Sequence, residues 1–264
     1  MKRILSLSKQ IIKTLYFNIS QSYYSIAGYK VECNICHYKT NKFRSDEWHL
    51  YCTCPKCGSG IRQRLLLATL TFLNDFSFSK IINNKNVLHF APEKSLRKLI
   101  KGKAKIYSTA DFLAQGYSYV NIDYCLDISD MKEIENGYFD CVIACDVLEH
   151  VKNDREGIKE VFRILNNGGY CIFTVPQKDH LEHTFEDLSI TDPKEREKVF
   201  GQFDHLRIYG NDFVNKLKEA GFKVTSIDEK YFEQKIIEKF VLFPPVLSKH
   251  PLATNYRKVF IGKK

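Results

Sequence analysis

The sequence predicts an α/β protein in which a Rossmann-like, mostly parallel sheet carries helices on both faces, preceded by a small four-cysteine module. Three observations predict it. From Asn86 onward, short apolar runs alternate with amphipathic stretches, as strands and crossover helices do. Acids close successive apolar runs, where open sheets of this kind bind ligands. Two Cys-x-x-Cys pairs stand close together in the N-terminal third.

The strands are expected at residues 87–90, 105–109, 124–126, 138–144, 170–175, 222–227 and 257–261, the third being short and weak. Helices are expected at residues 95–100, 155–165 and 212–220. Asn166-Asn167-Gly168-Gly169 should end the second helix and turn into the next strand, and Gly221 should stop the third. Residues 62–73 begin basic and become apolar, which suits a helix packing the cysteine module against the sheet. Three parts result: a basic amphipathic segment at 1–30, the module with its connecting helix at 31–80, and the sheet domain at 81–264.

Apolar residues make up 44% of the chain, enough for a sizeable core. The formal charge of +9 lies wholly in the N-terminal third: residues 1–85 hold 13 lysines and arginines against 4 acids, and the remainder holds 27 of each. Basic surface of this kind attracts phosphate or anionic lipid without specifying which. In residues 1–27, Ile4, Leu5, Leu7, Ile11, Ile12, Leu15, Tyr16 and Ile19 recur at helical spacing. Lys9, Gln10 and Lys13 interrupt them, so the run is too short and too charged to span a bilayer. Such a helix either lies on a membrane surface or packs its apolar face on the rest of the protein, the commoner fate. With no cleavable leader in view, nine cysteines point to a reducing compartment. The cytoplasm is the expected location, with peripheral contact at the inner membrane surface as the variant.

The cysteine pairs are Cys33-Asn34-Ile35-Cys36 and Cys54-Pro55-Lys56-Cys57-Gly58. Two residues between cysteines let a tight turn aim both sulfurs at one ion, so Cys33, Cys36, Cys54 and Cys57 are the expected ligands of a structural Zn²⁺. Cys52, His37 and His49 are spare candidates. Four thiolates leave no open position, so this metal should hold structure and not perform chemistry.

At the strand ends stand His89-Phe90-Ala91-Pro92-Glu93, then Asp111, then Asp127-Ile128-Ser129-Asp130, then Asp146-Val147-Leu148-Glu149-His150. An acid closing the second strand is placed to accept both hydroxyls of a ribose. This series points to a ligand that contains adenosine.

The stretch Phe139-Asp140-Cys141-Val142-Ile143-Ala144-Cys145-Asp146-Val147-Leu148-Glu149-His150-Val151 resembles a conserved block of class I S-adenosyl-L-methionine (SAM) dependent methyltransferases of type 11. Phe162-Arg163-Ile164-Leu165-Asn166-Asn167-Gly168-Gly169 and Thr174-Val175-Pro176 continue it in register, and His205-Leu206-Arg207-Ile208-Tyr209 with 211–222 is similar to the family's close. A subgroup with an N-terminal zinc ribbon looks nearest. The likeness covers about two-thirds of the chain. It implies SAM-dependent methyl transfer, with Asp111 on the ribose, Asp127 and the Ile128 backbone at the adenine, and Asp146 beside the SAM. Ala91 and Glu93 would face the methionine end. There the chain departs from the family: the usual loop is glycine-rich, and His89 stands where an acid is usual. Glu93 would compensate by pairing with the SAM amino group; otherwise the fold is a degenerate, non-enzymatic adaptor.

His150 and His205 are the candidate catalytic bases, followed by His183; a lone histidine is more often structural. Residues 180–210 are long and charged, which fits either a lid over an acceptor pocket or a solvated surface excursion. Thr184, Glu186, Asp187, Arg196, Gln202, Asp204 and Arg207 would line that pocket, which suits a small-molecule or glycan-like acceptor methylated at oxygen or nitrogen. An RNA methyltransferase gripping phosphates through the module is the second enzymatic reading. Neutral charge over residues 86–264 weighs against it.

Overall fold

The computed structural model describes residues 2–112 and 122–264. Helix α1 (Lys2–Ala27) leads into the cysteine module, whose strands β1 (Val31–Glu32) and β2 (Lys39–Thr40) pair antiparallel. Helices α2 (Ile61–Phe72) and α3 (Phe78–Ile81) connect it to β3 (Asn86–Phe90), α4 (Lys94–Lys101), β4 (Ile106–Asp111) and β5 (Tyr124–Cys125). Then come β6 (Phe139–Cys145), α5 (Asp154–Ile164) and β7 (Leu165–Thr174). A region with β8 (Phe185–Glu186), α6 (Pro193–Phe200) and β9 (Arg207–Ile208) precedes α7 (Phe213–Glu219), β10 (Lys223–Ile227), α8 (Gln234–Phe240) and β11 (Val259–Lys263).

The main sheet has seven strands in the order β5-β4-β3-β6-β7-β11-β10. Strand β11 runs antiparallel to both neighbours, and the other described pairings are parallel. The chain leaves β3 to one side for β4 and β5, then returns to its other side for β6 and β7. That reversal opens a crevice at the carboxyl ends of β3 and β6.

Both faces of the sheet are covered, so its strands are apolar on both sides. Along β6, Cys141, Ile143 and Cys145 face one core and Val142 and Ala144 the other. The first core takes in α2 and module residues Cys33, Ile35, Tyr38, Phe43 and Cys54, so module and sheet share one apolar cluster. Leu65, Leu66, Ala68 and Leu70 of α2 are fully or almost fully buried, each leucine contributing about 1.5–3 kcal/mol. Arg64, also fully buried, donates to the carbonyls of Ser59, Cys52, Phe240 and Val241 at 2.6–3.0 Å. It fastens the module to the end of α8.

Two expectations need correction. The Asn166–Gly169 stretch is no simple turn: β7 starts at Leu165, and pairing with β6 passes from Phe139↔Leu165 to Cys141↔Tyr170 through a bulge. Gly168 takes φ +81° there, a conformation glycine adopts without penalty. Helix α1, in turn, does not pack its apolar face on the protein over residues 12–27. Phe17 is buried against Tyr38, while Ile12, Leu15, Tyr16, Ile19, Tyr23 and Ile26 are exposed, Ile19 by 69%. The side chains of Ile4, Leu5, Leu7 and Ile11 lie outside the described residues. Among the described residues, no helix is long and apolar enough to cross a membrane.

Candidate active site

A cavity of about 340 Å³ occupies the crevice. Phe90 and Ala91 close β3, Asp111 and Phe112 close β4, and Leu126, Asp127 and Ile128 follow β5. Asp146, Val147, His150, Val151 and Lys152 follow β6, and Asp204 reaches in from the region between β7 and α7. The walls are apolar and the strand-end groups are carboxylates, the division that an adenosine needs. Asp127 Oδ1 accepts from the Ser129 amide and hydroxyl, both at 2.7 Å, which fixes the turn presenting the Ile128 backbone.

Two non-glycine residues at this crevice have left-handed backbones: Ala91 at φ +42° and Asp146 at φ +50°. Such conformations cost about 1–3 kcal/mol each and gather at functional sites. Ala91 thus makes the turn for which a glycine would be the ordinary choice.

His89 and Glu93 do not line this cavity. His89 is fully buried, its Nδ1 on the Tyr107 hydroxyl at 2.9 Å, and burial, with Arg97 and Arg62 adding to it, pushes its pKa down to about 3. Glu93 points instead at α2: Arg62 Nη2 lies 2.5 Å and Gln63 Nε2 3.2 Å from its Oε1. Arg62 also reaches Asp146 at 3.1 Å, joined there by Arg257 at 3.7 Å. The Thr174 hydroxyl donates to the other Asp146 oxygen at 2.8 Å. Burial alone would raise the Asp146 pKa, but Arg62, Arg257 and Thr174 outweigh it and hold Asp146 below the usual carboxylate range. Sequence reasoning missed both arginines, since a cation gives no sign of a carboxylate distant along the chain.

A second cavity of about 330 Å³ adjoins the first and shares Asp146 and His150 with it. Its other walls include Arg62, Arg257, Glu149, Gln202, His205 and, from the cysteine module, Trp48 and His49. Asp46 builds that loop, its Oδ1 accepting from the Trp48 and His49 amides at 3.1 and 2.7 Å. Trp48 stacks on His250, with ring centroids 4.1 Å apart. His150 and His205 meet edge to face at 4.8 Å. Burial opposes a charge on His150, but its contact with Asp204 at 3.1 Å prevails and raises its pKa. Burial, aided by His150, drops His205 to about 4, and burial with the nearby Asp146 lifts Glu149 to about 8.

Of the polar residues expected to line an acceptor pocket, Gln202 and Asp204 face these cavities. The others do not. Thr184 bonds Asp212 at 2.7 Å, Asp187 bonds Ser189, and Arg196 bonds the Ile190 carbonyl. Glu186 pairs with Arg207, and His183 is exposed away from both cavities. Arg207 is fully buried and donates to the carbonyls of Leu148, Val151 and Lys152. It clamps the turn carrying Glu149 and His150. Tyr209 completes the brace, donating to Asp154 at 2.9 Å.

A family profile described as a methyltransferase domain matches residues 75–227, more than half of the chain and all of the strands that frame the crevice. The chain belongs to the methyltransferase-domain family. Among solved structures, the methyltransferase is similar to the S-adenosylmethionine dependent methyltransferase of Mesorhizobium loti at 13% identity, TM-score 0.51, covering 78% of this chain and 99% of that one. It is also similar to a SAM-dependent methyltransferase of Thermotoga maritima (16% identity, TM-score 0.46, 77% of this chain and 91% of that one). A third is the 1,6-didemethyltoxoflavin-N1-methyltransferase of Burkholderia thailandensis, solved with S-adenosylhomocysteine (11% identity, TM-score 0.47, 77% and 78%). At such identities the likeness reaches the fold alone. No curated protein matches the sequence.

In the methyltransferase, Cys33, Cys36, Cys54 and Cys57 bring their sulfurs within 4.8 Å of one another. Cys33 and Cys57 stand 3.6 Å apart, and Cys36 and Cys54 3.7 Å. The edge of a tetrahedron with metal–sulfur bonds of about 2.3 Å is about 3.8 Å, so the spacing suits one ion. Cys52 lies outside the cluster and donates to the Leu50 carbonyl, while His37 contacts Glu32 and His49 contacts Asp46.

Proposed function

We propose that this methyltransferase binds S-adenosyl-L-methionine in the crevice and methylates a small, glycan-like acceptor, at oxygen or nitrogen, held in the second cavity. One observation supports the reading: the two cavities meet at Asp146 and His150, so a donor in one and an acceptor in the other would face each other across a single junction. Asp111 accepts the ribose hydroxyls at the end of β4. Leu126, Ile128 and Val151 enclose the adenine, with Asp127 and the Ile128 backbone at its edge. The Ala91 backbone faces the methionine end. The compound brings an electrophilic methyl on a sulfonium; the protein's task is alignment, which supplies several kcal/mol of the barrier on its own.

The second cavity offers an aromatic wall, Trp48, with polar groups of Gln202, His49 and Arg62 around it. A sugar ring, apolar on its faces and polar at its rim, meets such a lining well. The acceptor proton leaves at the junction, where the imidazoles of His150 and His205 stand. The four cysteines hold Zn²⁺ as a structural ion. Exposed apolar side chains on α1, beside an acid-free run of basic residues, favour peripheral contact of residues 1–27 with an anionic membrane.

Incubating the protein with cell extract and isotopically labelled SAM, then finding the labelled product by mass spectrometry, identifies the acceptor. Calorimetry with S-adenosylhomocysteine tests the crevice: Asp111→Ala should weaken binding about tenfold to a hundredfold. Absence of heat with the unaltered protein would sink the reading.

A further inference from the structure

We propose that Glu149, His150 and His205 bind a divalent transition-metal ion at the junction of the two cavities. One ligand atom from each residue lies within 4.8 Å of the other two. Glu149 is 1% exposed, and its Oε2 has no hydrogen-bond partner in the protein. A carboxylate oxygen buried without a partner is costly, and a cation is one of the few groups that relieve it. Both imidazoles are already oriented. His150 Nδ1 lies 3.1 Å from an Asp204 oxygen, and His205 Nδ1 lies 3.2 Å from the Phe200 carbonyl oxygen. An acceptor on one ring nitrogen fixes the tautomer and aims the other nitrogen, Nε2, as a metal ligand.

The surrounding structure holds the three groups in place. Arg207 ties down the turn that carries Glu149 and His150, and the Leu206 amide donates to the Glu149 carbonyl at 2.9 Å, keeping His205 beside them. Asp146 is answered by Arg62 and Arg257. Glu149 is therefore the buried carboxyl group at the junction that a cation would answer, its proton leaving as the ion binds. Two imidazoles and one carboxylate favour Mn²⁺, Fe²⁺, Co²⁺ or Zn²⁺ over Mg²⁺ or Ca²⁺. Three protein ligands leave coordination positions open toward the cavities. An acceptor hydroxyl bound there loses its proton to water more readily, and its oxygen lone pair then forms the bond to the methyl carbon as the carbon–sulfur bond breaks.

This role rests on the methyltransferase reading; the binding site does not. One lone pair cannot hold both a proton and a metal, so His150 acts either as a base or as a ligand.

Mn²⁺ distinguishes the two, because it favours nitrogen and oxygen donors over a four-thiolate site. The full chain, carrying one equivalent of Zn²⁺ for the cysteines, is titrated with Mn²⁺ and the free-ion electron paramagnetic resonance signal is followed. One Mn²⁺ should bind per chain. His205→Ala should weaken it more than about tenfold, and Asp204→Asn, which retains size and removes charge, about 10–100-fold. The zinc content should stay the same throughout. If His205→Ala fails to fold, Asp204→Asn carries the comparison. An undiminished Mn²⁺ signal, or equal titration by the unaltered protein and both variants, overturns the site. Calorimetry with S-adenosylhomocysteine on the same samples separates the two claims: heat without Mn²⁺ binding overturns only the metal, and Mn²⁺ binding without heat overturns only the methyltransferase reading.

Discussion

Ala91 shows how one side chain substitutes for another in a backbone role. Its left-handed φ costs an L-residue about 1–2 kcal/mol, a cost that glycine avoids. Ala91→Gly should therefore leave the protein as stable as before, or more stable by about 1 kcal/mol, as read from denaturant midpoints. A loss of more than about 1 kcal/mol would show that the loop is held by the methyl group. His89 gives a pH signature. Its folded pKa, depressed to about 3 by burial, lies below the ordinary value of 6.5, so the unfolded chain takes up a proton first as pH falls. The stability it contributes is present above pH 6.5 and is lost between there and about 3. Between pH 7 and pH 5 the loss from this residue is about 2 kcal/mol. His89→Leu should flatten that part of the stability curve, and an unchanged slope would refute the assignment. Asp111 was legible as an acid ending an apolar run. His89 was misplaced because alternation put it on a strand without saying which face. Arg62, Arg64 and Arg257 were invisible because their partners are brought to them by folding.

Elements were read more securely than the contacts between them. Strands β3 and β6 announced themselves as near-continuous apolar runs, which a sheet covered on both faces requires. Strand β7 began earlier than expected because a bulge absorbs Asn166 to Gly169, and a glycine-rich stretch looks the same in a bulge as in a turn. The region between β7 and α7 was expected either to cover an acceptor pocket or to be a solvated excursion, and of its named residues Gln202 and Asp204 face the cavities. Most of its polar residues nevertheless bond one another, because a loop of its length needs internal partners to stay folded. Helix α1 followed its helical spacing, yet periodicity names a face without naming what covers it. Its exposed side chains lead to a direct test: the protein should sediment with vesicles of anionic lipid, and Ile12→Glu or Ile19→Glu should return it to the supernatant. Sedimentation that ignores both changes would exclude the helix as the contact.

Over the whole molecule, the cysteine module and the crevice are mechanically one. Helix α2 leaves the module, buries its leucines under the sheet, and sets Arg62 on both Glu93 and Asp146. On the proposal that the four cysteines hold Zn²⁺, stripping that ion should do two things together. A structural zinc site commonly contributes many kcal/mol of folding free energy, and a loss of roughly 4 kcal/mol lowers Tm by about 10 °C in a chain of this size. S-Adenosylhomocysteine affinity should fall in parallel. A chelator that removes zinc and leaves both Tm and affinity unchanged would show the two parts to be independent.

Trp48 is the chain's single tryptophan, and it stands in the wall of the second cavity. Every photon of indole emission thus originates beside the place where an acceptor would lie. A compound entering that space displaces water from the ring and alters its stacking on His250, so quenching or a colour shift in the native fluorescence would report occupancy directly. Candidate acceptors can be screened by light alone, with no label and before any turnover is seen.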